Sequence, residues 1–163
     1  MSDALTTYLH DHLAGSHFAV KLLDSLSQQY QGEHLGKFAL ELCTEIKEDQ
    51  QTLQTIVERV GPAKFDITEA VGWVAEKASR LKLGRDLDGL GLGTFEALET
   101  LSLGIRGKSA LWRALSRIRE LDSRVPALDF TGLAERAKDQ HRRTEQQRLL
   151  LVDIAFRPVT RSA

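Results

Sequence analysis

Apolar residues recur at steps of three and four along most of the chain, and alternation with a period of two is nowhere sustained. Such spacing places apolar side chains on one face of a 3.6-residue helix. Four long helices are predicted, over about residues 3–31, 33–60, 94–122 and 129–156, together with a shorter helix over residues 66–84. The pattern therefore predicts an all-α chain.

The residues between these segments indicate how the helices are connected. Ser2 or Asp3 can cap the first helix and Thr94 the third, while Gly32 can adopt the left-handed conformation that ends a helix. The turns after the first and third helices are short, so each turn should join two antiparallel helices. Residues 61–93 form a much longer connection, which permits a crossover from one end of the bundle to the other.

The predicted inward faces carry polar residues at one height in the bundle. Counting residues from the turns, with the crossover making the second and third helices parallel, brings four side chains to one level: His12, Asp49, Lys108 and His141, with Gln140 as the alternative to His141 on the fourth helix. An up-and-down connection would instead bring Ile105 and Glu145 to that level. The crossover topology therefore predicts a polar layer in the core.

Asp49 and Lys108 form the strongest charge pair that this layer offers. A buried charge without a partner is costly, so ionised groups in a core require opposite charges and hydrogen bonds. The competing interpretation is that Lys108 extends its ammonium group past apolar neighbours to water.

Two antiparallel helical hairpins joined by a long crossover resemble the ferritin-like superfamily. The resemblance covers the four long helices and implies one ferritin-like four-helix bundle domain over residues 1–157. The last seven residues, RPVTRSA, are mostly polar and contain Pro158, so residues 158–163 are expected to form a flexible tail. The resemblance also raises the question whether the chain carries the ligands of a di-iron centre. Di-iron members use one Glu from each of two helices and a Glu-x-x-His motif from each of the other two.

Both Glu-x-x-His motifs are broken in this chain. Glu45 is followed three residues later by Glu48, and His141 is preceded three residues earlier by Lys138. An iron or manganese site would therefore draw on a non-standard set of ligands: His12, Glu45, Asp49, Glu99 and His141. We expect that the ammonium group of Lys108 instead occupies the place where relatives keep metal.

Composition narrows the remaining classes of function. A net charge of −1 gives no long-range field that favours nucleic acid or an anionic membrane. The single cysteine, Cys43, excludes an intrachain disulfide and is expected to fill a helix core. No secretory signal is recognisable, and no segment approaches the roughly 20 apolar residues of a membrane span. We therefore expect a cytoplasmic protein.

Glycines inside the predicted helices call for an explanation, because each costs about 1 kcal/mol relative to alanine. Gly104 and Gly107 lie within the third helix, and Gly15 lies within the first. Close approach of these two helices is the predicted reason.

These observations favour a non-enzymatic binding or assembly protein that lacks a working di-iron centre, with an unknown protein partner or a second copy of itself in a homo-oligomer. The alternative is a metal-binding oxidoreductase or iron-handling protein using iron or manganese. A third, weaker hypothesis is a small apolar ligand held between the helices.

Overall fold

A computed structural model describes residues 3–62 and 91–158. It contains four long helices, α1 (Ala4–Gln29), α2 (His34–Val60), α3 (Leu92–Ile118) and α4 (Phe130–Leu150), and a short helix, α5 (Val152–Ala155). Within these two ranges all regular secondary structure is helical, which confirms the all-α prediction. The helix predicted over residues 66–84 lies outside the described residues.

The helix boundaries agree with the predicted ones to within a few residues, except at two places. Asp3 caps α1 as expected, by accepting a hydrogen bond from the Leu5 amide. Thr94 does not cap α3, because the helix begins at Leu92 after Gly91, and Thr94 is buried within its first turn. The fourth predicted helix is divided, since α4 ends at Leu150 and α5 follows it.

Contacts at the two ends of the bundle establish the directions of the helices. Tyr30, after α1, hydrogen-bonds Thr94 at the start of α3 with 2.6 Å between the two hydroxyl oxygens. At the other end Arg124, after α3, binds the Asp3 carboxylate before α1 and donates to the Val60 carbonyl oxygen at the end of α2. Helix α3 is therefore antiparallel to α1 and parallel to α2.

The core lies inside two hairpins that pack against each other. Helix α1 packs closely on α2 and α3 packs closely on α4, whereas contacts between the two hairpins are sparser. The predicted inward face of α2 is buried from Ala39 to Val60, and Cys43 is buried among its apolar neighbours, as expected. Because contacts between the two hairpins are sparser, polar contacts make up a noticeable part of what joins them.

No helix within residues 3–62 and 91–158 combines the length and the apolar character that crossing a membrane requires.

Candidate functional site

A lysine ammonium group lies near the centre of the bundle and joins the two hairpins. Lys108 of α3 forms an ion pair with Asp49 of α2 and donates to Gln140 Oε1 of α4, at 2.5 Å. The Asp49 side chain is 3% exposed and that of Lys108 14% exposed, while Gln140 is fully buried. The Gln140 amide nitrogen also donates to Asp49 Oδ2, at 3.1 Å, so the three residues form a closed triangle of hydrogen bonds. We call these three residues the central triad.

Charged side chains of α2 and α4 surround the central triad on one side. Gln140 Nε2 donates to Glu45 Oε2 at 3.1 Å, and Arg143 Nη2 donates to the same oxygen at 2.6 Å. Arg136 binds Glu48, and its Nη1 lies 3.7 Å from Asp49 Oδ1. That Asp49 oxygen is buried without a hydrogen-bond partner among the described residues. The nearby guanidinium of Arg136 stabilises its charge electrostatically.

Burial and ion pairing act in opposite directions on the pKa values of these groups. Burial lowers the pKa of Lys108 from its usual 10.5, although Asp49 partly compensates. For Glu45 burial is the largest influence and would raise the pKa, but hydrogen bonds from Arg143 and Gln140 outweigh it and lower the pKa below 4.5. The partners across the α2–α4 contact thus favour the ionised form of Glu45.

Neither of the two predicted histidines is hydrogen-bonded to the charge pair within the described residues. Gln140, rather than His141, faces the centre from α4, and His141 lies close enough to Glu145 to help lower the pKa of that carboxyl. His12 packs edge-on against Tyr8, with 4.7 Å between the ring centroids. No hydrogen bond joins either histidine to Asp49 or Lys108 within the described parts of the chain.

The alternative metal ligands do not form a metal site in the part of the chain that the structure describes. No group of three or more His, Cys, Asp or Glu side chains there is arranged to hold a metal ion. Glu45 is bound by Arg143, Asp49 by Lys108, and Glu99 by Arg148 at 3.3 Å. A cation already neutralises each of these carboxylates, so the donor set does not fit iron or manganese.

An open cleft of about 400 Å³ lies on the other side of the central triad, between α1 and α3. Its lining is mostly apolar, and buried residues of α2, including Ile46 and Leu53, close its inner side. Lys108 and Asp49 line it as well, together with His12. The ion pair of the central triad is thus adjacent to a space large enough for a small molecule.

The glycines of α1 and α3 line this cleft and do not mediate close helix packing. Among the described residues, a Cβ atom added at Gly15, Gly104 or Gly107 would meet no heavy atom within 4 Å beyond its own helix backbone. The predicted close approach of the two helices at these residues is therefore wrong. Sequence reasoning correctly noted that these glycines are costly, but it could not distinguish tight packing from empty space, because both favour the smallest residue.

Sequence reasoning also missed the arginines that complete the site. Arg136 and Arg143 lie on α4 in the sequence RAKDQHRR, where cations and anions are mixed as on an ordinary solvated face. Their spacing of seven residues, two helical turns, places both on the side of α4 that faces α2. The seven-residue spacing is the sequence feature that could have indicated that both arginines face α2.

No family model matches the chain, and neither a curated protein nor a solved structure matches it significantly.

Proposed function

We propose that this protein is a ferritin-like four-helix bundle that acts by binding rather than by catalysis, with Lys108 in place of a metal ion. The observation that carries the proposal is the contact of the Lys108 ammonium group with Asp49 and Gln140. One covalently attached cation there supplies the positive charge that buried carboxylates require. The parallel directions of α2 and α3 also agree with the crossover of ferritin-like bundles.

The non-enzymatic part of the proposal rests on the partners of the buried ionisable groups. Glu45 and Asp49 are both paired with cations, and Lys108 is hydrogen-bonded to two partners. A general acid or base needs a group that can exchange a proton with a substrate. Side chains held in mutual hydrogen bonds instead contribute to a fixed structure.

The proposed setting is the cytoplasm, with neither nucleic acid nor a membrane as the partner. The exposed face of α4 supports the absence of a nucleic-acid or membrane partner, because its cations are neutralised by near neighbours: Lys138 binds Glu135, and Arg142 binds Asp139 at 2.6 Å. Such mixed charges produce little net field. Self-association into a homo-oligomer stays a prediction, which sedimentation of the purified protein tests.

Elemental analysis followed by titration with iron and manganese tests the proposal. We expect metal content well below one ion per chain and no saturable binding of either ion. Stoichiometric iron or manganese would overturn the proposal. Its loss from a His141→Ala variant, but not from His34→Ala at an exposed histidine, would identify the metal-binding alternative.

A further inference from the structure

The cleft between α1 and α3 is open to solvent and has a volume of about 400 Å³. Small-molecule sites have volumes of about 300–1,000 Å³ and are mostly apolar, with a few polar groups. The cleft agrees with that description in both size and lining.

Its glycines keep the cleft open at a cost to helix stability. A glycine inside a helix is destabilising by about 1 kcal/mol relative to alanine. Close packing often offsets that cost, but no described residue outside the same helix backbone lies within 4 Å of a Cβ added at Gly15, Gly104 or Gly107. Gly15 and Gly107 are partly buried and Gly104 is exposed, so these positions leave the cleft unfilled beside α1 and α3.

The charges of the described lining residues favour an uncharged occupant. Lys108 and Asp49 neutralise each other, and the remaining charged residue among the described ones is Asp11, which is exposed. An anion in the cleft would meet the negative charge of Asp11, and no described lining residue offers it a free cation. A cation would lose its hydration on entering the cleft and would find no free carboxylate among the described residues on the buried side, because Asp49 is already paired with Lys108.

His12 offers hydrogen bonds to such an occupant. Burial lowers the pKa of His12 below 6.5, so the ring is neutral at pH 7 and has one donor and one acceptor nitrogen. No described residue hydrogen-bonds to either nitrogen. Ser16, nearby in the lining, already donates to the Leu13 carbonyl oxygen at 2.6 Å and accepts from Gln50 at 2.9 Å.

We propose that the α1–α3 cleft binds a small, uncharged, mostly apolar molecule with one hydrogen-bonding group, which His12 recognises. This inference deepens the proposed binding function and rests on it. The central triad supplies a rigid, electrically neutral inner wall, and the glycines supply the volume.

Two fluorescent dyes with the same aromatic skeleton test the inference on the full-length chain. N-phenylnaphthylamine is uncharged and has one N–H group, and anilinonaphthalene sulfonate adds a negative charge to that skeleton. We expect saturable binding of the neutral dye, with one molecule per chain and an affinity at least about tenfold higher than that of the sulfonate. In a Trp73→Phe background, the emission of Trp112, which lines the cleft, should fall as the neutral dye binds.

Variants locate the bound dye. Gly107→Leu and Gly15→Leu fill the cleft and should each weaken binding of the neutral dye at least about tenfold. Ala110→Leu is the matched control, because Ala110 is exposed and lines the groove between α3 and α4 instead; it should leave binding unchanged. His12→Phe, which removes the hydrogen-bonding ring nitrogens, should weaken binding about threefold to tenfold. Circular dichroism verifies that each variant is folded.

The inference is overturned if the wild-type chain does not bind the neutral dye, if the sulfonate binds equally well, or if Gly107→Leu and Ala110→Leu bind equally. The experiment uses the full chain, so absence of binding counts against the inference. These outcomes would not contradict the proposal that Lys108 takes the place of a metal ion in the central triad. Stoichiometric iron, by contrast, would overturn the proposed function itself. The two failures are therefore distinguishable.

Discussion

The two sides of the central triad differ in how their space is filled. Towards α4, Glu45, Arg136 and Arg143 bring charged groups together from both hairpins, with contacts such as the 2.6 Å bond from Arg143 to Glu45. Towards α1 the same triad adjoins an apolar cleft where glycines leave open space. We call these the charged side and the open side.

The difference shows that the partners of this buried ion pair lie mainly on its charged side. Asp49 Oδ2 accepts from Lys108 and Gln140, and Lys108 also donates to Gln140, whereas Asp49 Oδ1 has the Arg136 guanidinium 3.7 Å away and no hydrogen-bond partner among the described residues. The open side is then available for packing or for a ligand. Substitutions on the charged side and on the open side should therefore have different effects.

Removing the central cation should produce the largest effect. Lys108→Met keeps the apolar stem but leaves the buried Asp49 carboxylate with the more distant Arg136 as its cation and the Gln140 amide as its hydrogen-bond donor, so we expect a loss of about 3–5 kcal/mol in the free energy of unfolding. Urea denaturation measures it. Lys138→Met is the matched control, because Lys138 forms an exposed pair with Glu135 and should cost less than about 1 kcal/mol. Equal losses in the two variants would mean that Lys108 behaves as a surface residue.

Removing the bridging amide on the charged side should cost less. Gln140→Leu leaves Lys108, Asp49 and Glu45 each with one hydrogen bond fewer, and we expect a loss of about 1–3 kcal/mol. The same denaturation experiment measures the loss. Gln146→Leu, at an exposed position of α4, should change the stability little. A stabilised Gln140→Leu variant would show that the amide is dispensable.

On the open side, substitution should increase stability. Gly107→Ala places its Cβ in open space and removes the helix penalty, so we expect a gain of up to about 1 kcal/mol. Gly36 in α2 provides the contrast, because its added Cβ would lie 2.0 Å from the Tyr30 carbonyl oxygen. Gly36→Ala should therefore be destabilising. Thermal unfolding of both variants measures the difference, and a destabilised Gly107→Ala would indicate a packed rather than an open side.

The smallest expected effect is a pH dependence from His12. Its pKa is lowered mainly by burial, which Asp11 partly opposes, so the unfolded chain takes up the proton first as the pH falls below 6.5. The contribution of His12 to stability is therefore complete above about pH 6.5 and decreases towards its lower folded-state pKa, by less than about 1 kcal/mol. Urea midpoints at pH 7.5 and pH 5.5 measure the change. A His12→Gln variant with an equally large decrease would assign the effect to other groups.

The predictable part of the structure is the part that hydrophobic periodicity determines. The inward face of α2, including Asp49, follows from apolar spacing alone, and counting residues from the turns pairs Asp49 with Lys108, as the structure has them. Such counting cannot resolve neighbouring residues, however. It left Gln140 and His141 as alternatives, because a rotation of the helix by a fraction of a turn exchanges them.

The cleft could not be predicted because it depends on the distance between two helices. Gly104 and Gly107 permit either close approach or an open space, and the sequence pattern is the same for both. The partners of Glu45 likewise depend on how the hairpins dock, since Arg143 lies 98 residues further along the chain.

A double-mutant cycle on Asp49 and Lys108 tests the central claim most directly. Asp49→Leu, Lys108→Met and the double variant are compared with the wild-type chain by urea denaturation. If the ammonium group is the fixed counter-ion of this core, the double variant should be more stable than the sum of the single losses predicts, by about 2–3 kcal/mol. Additive losses, with a coupling energy near zero, would contradict the claim.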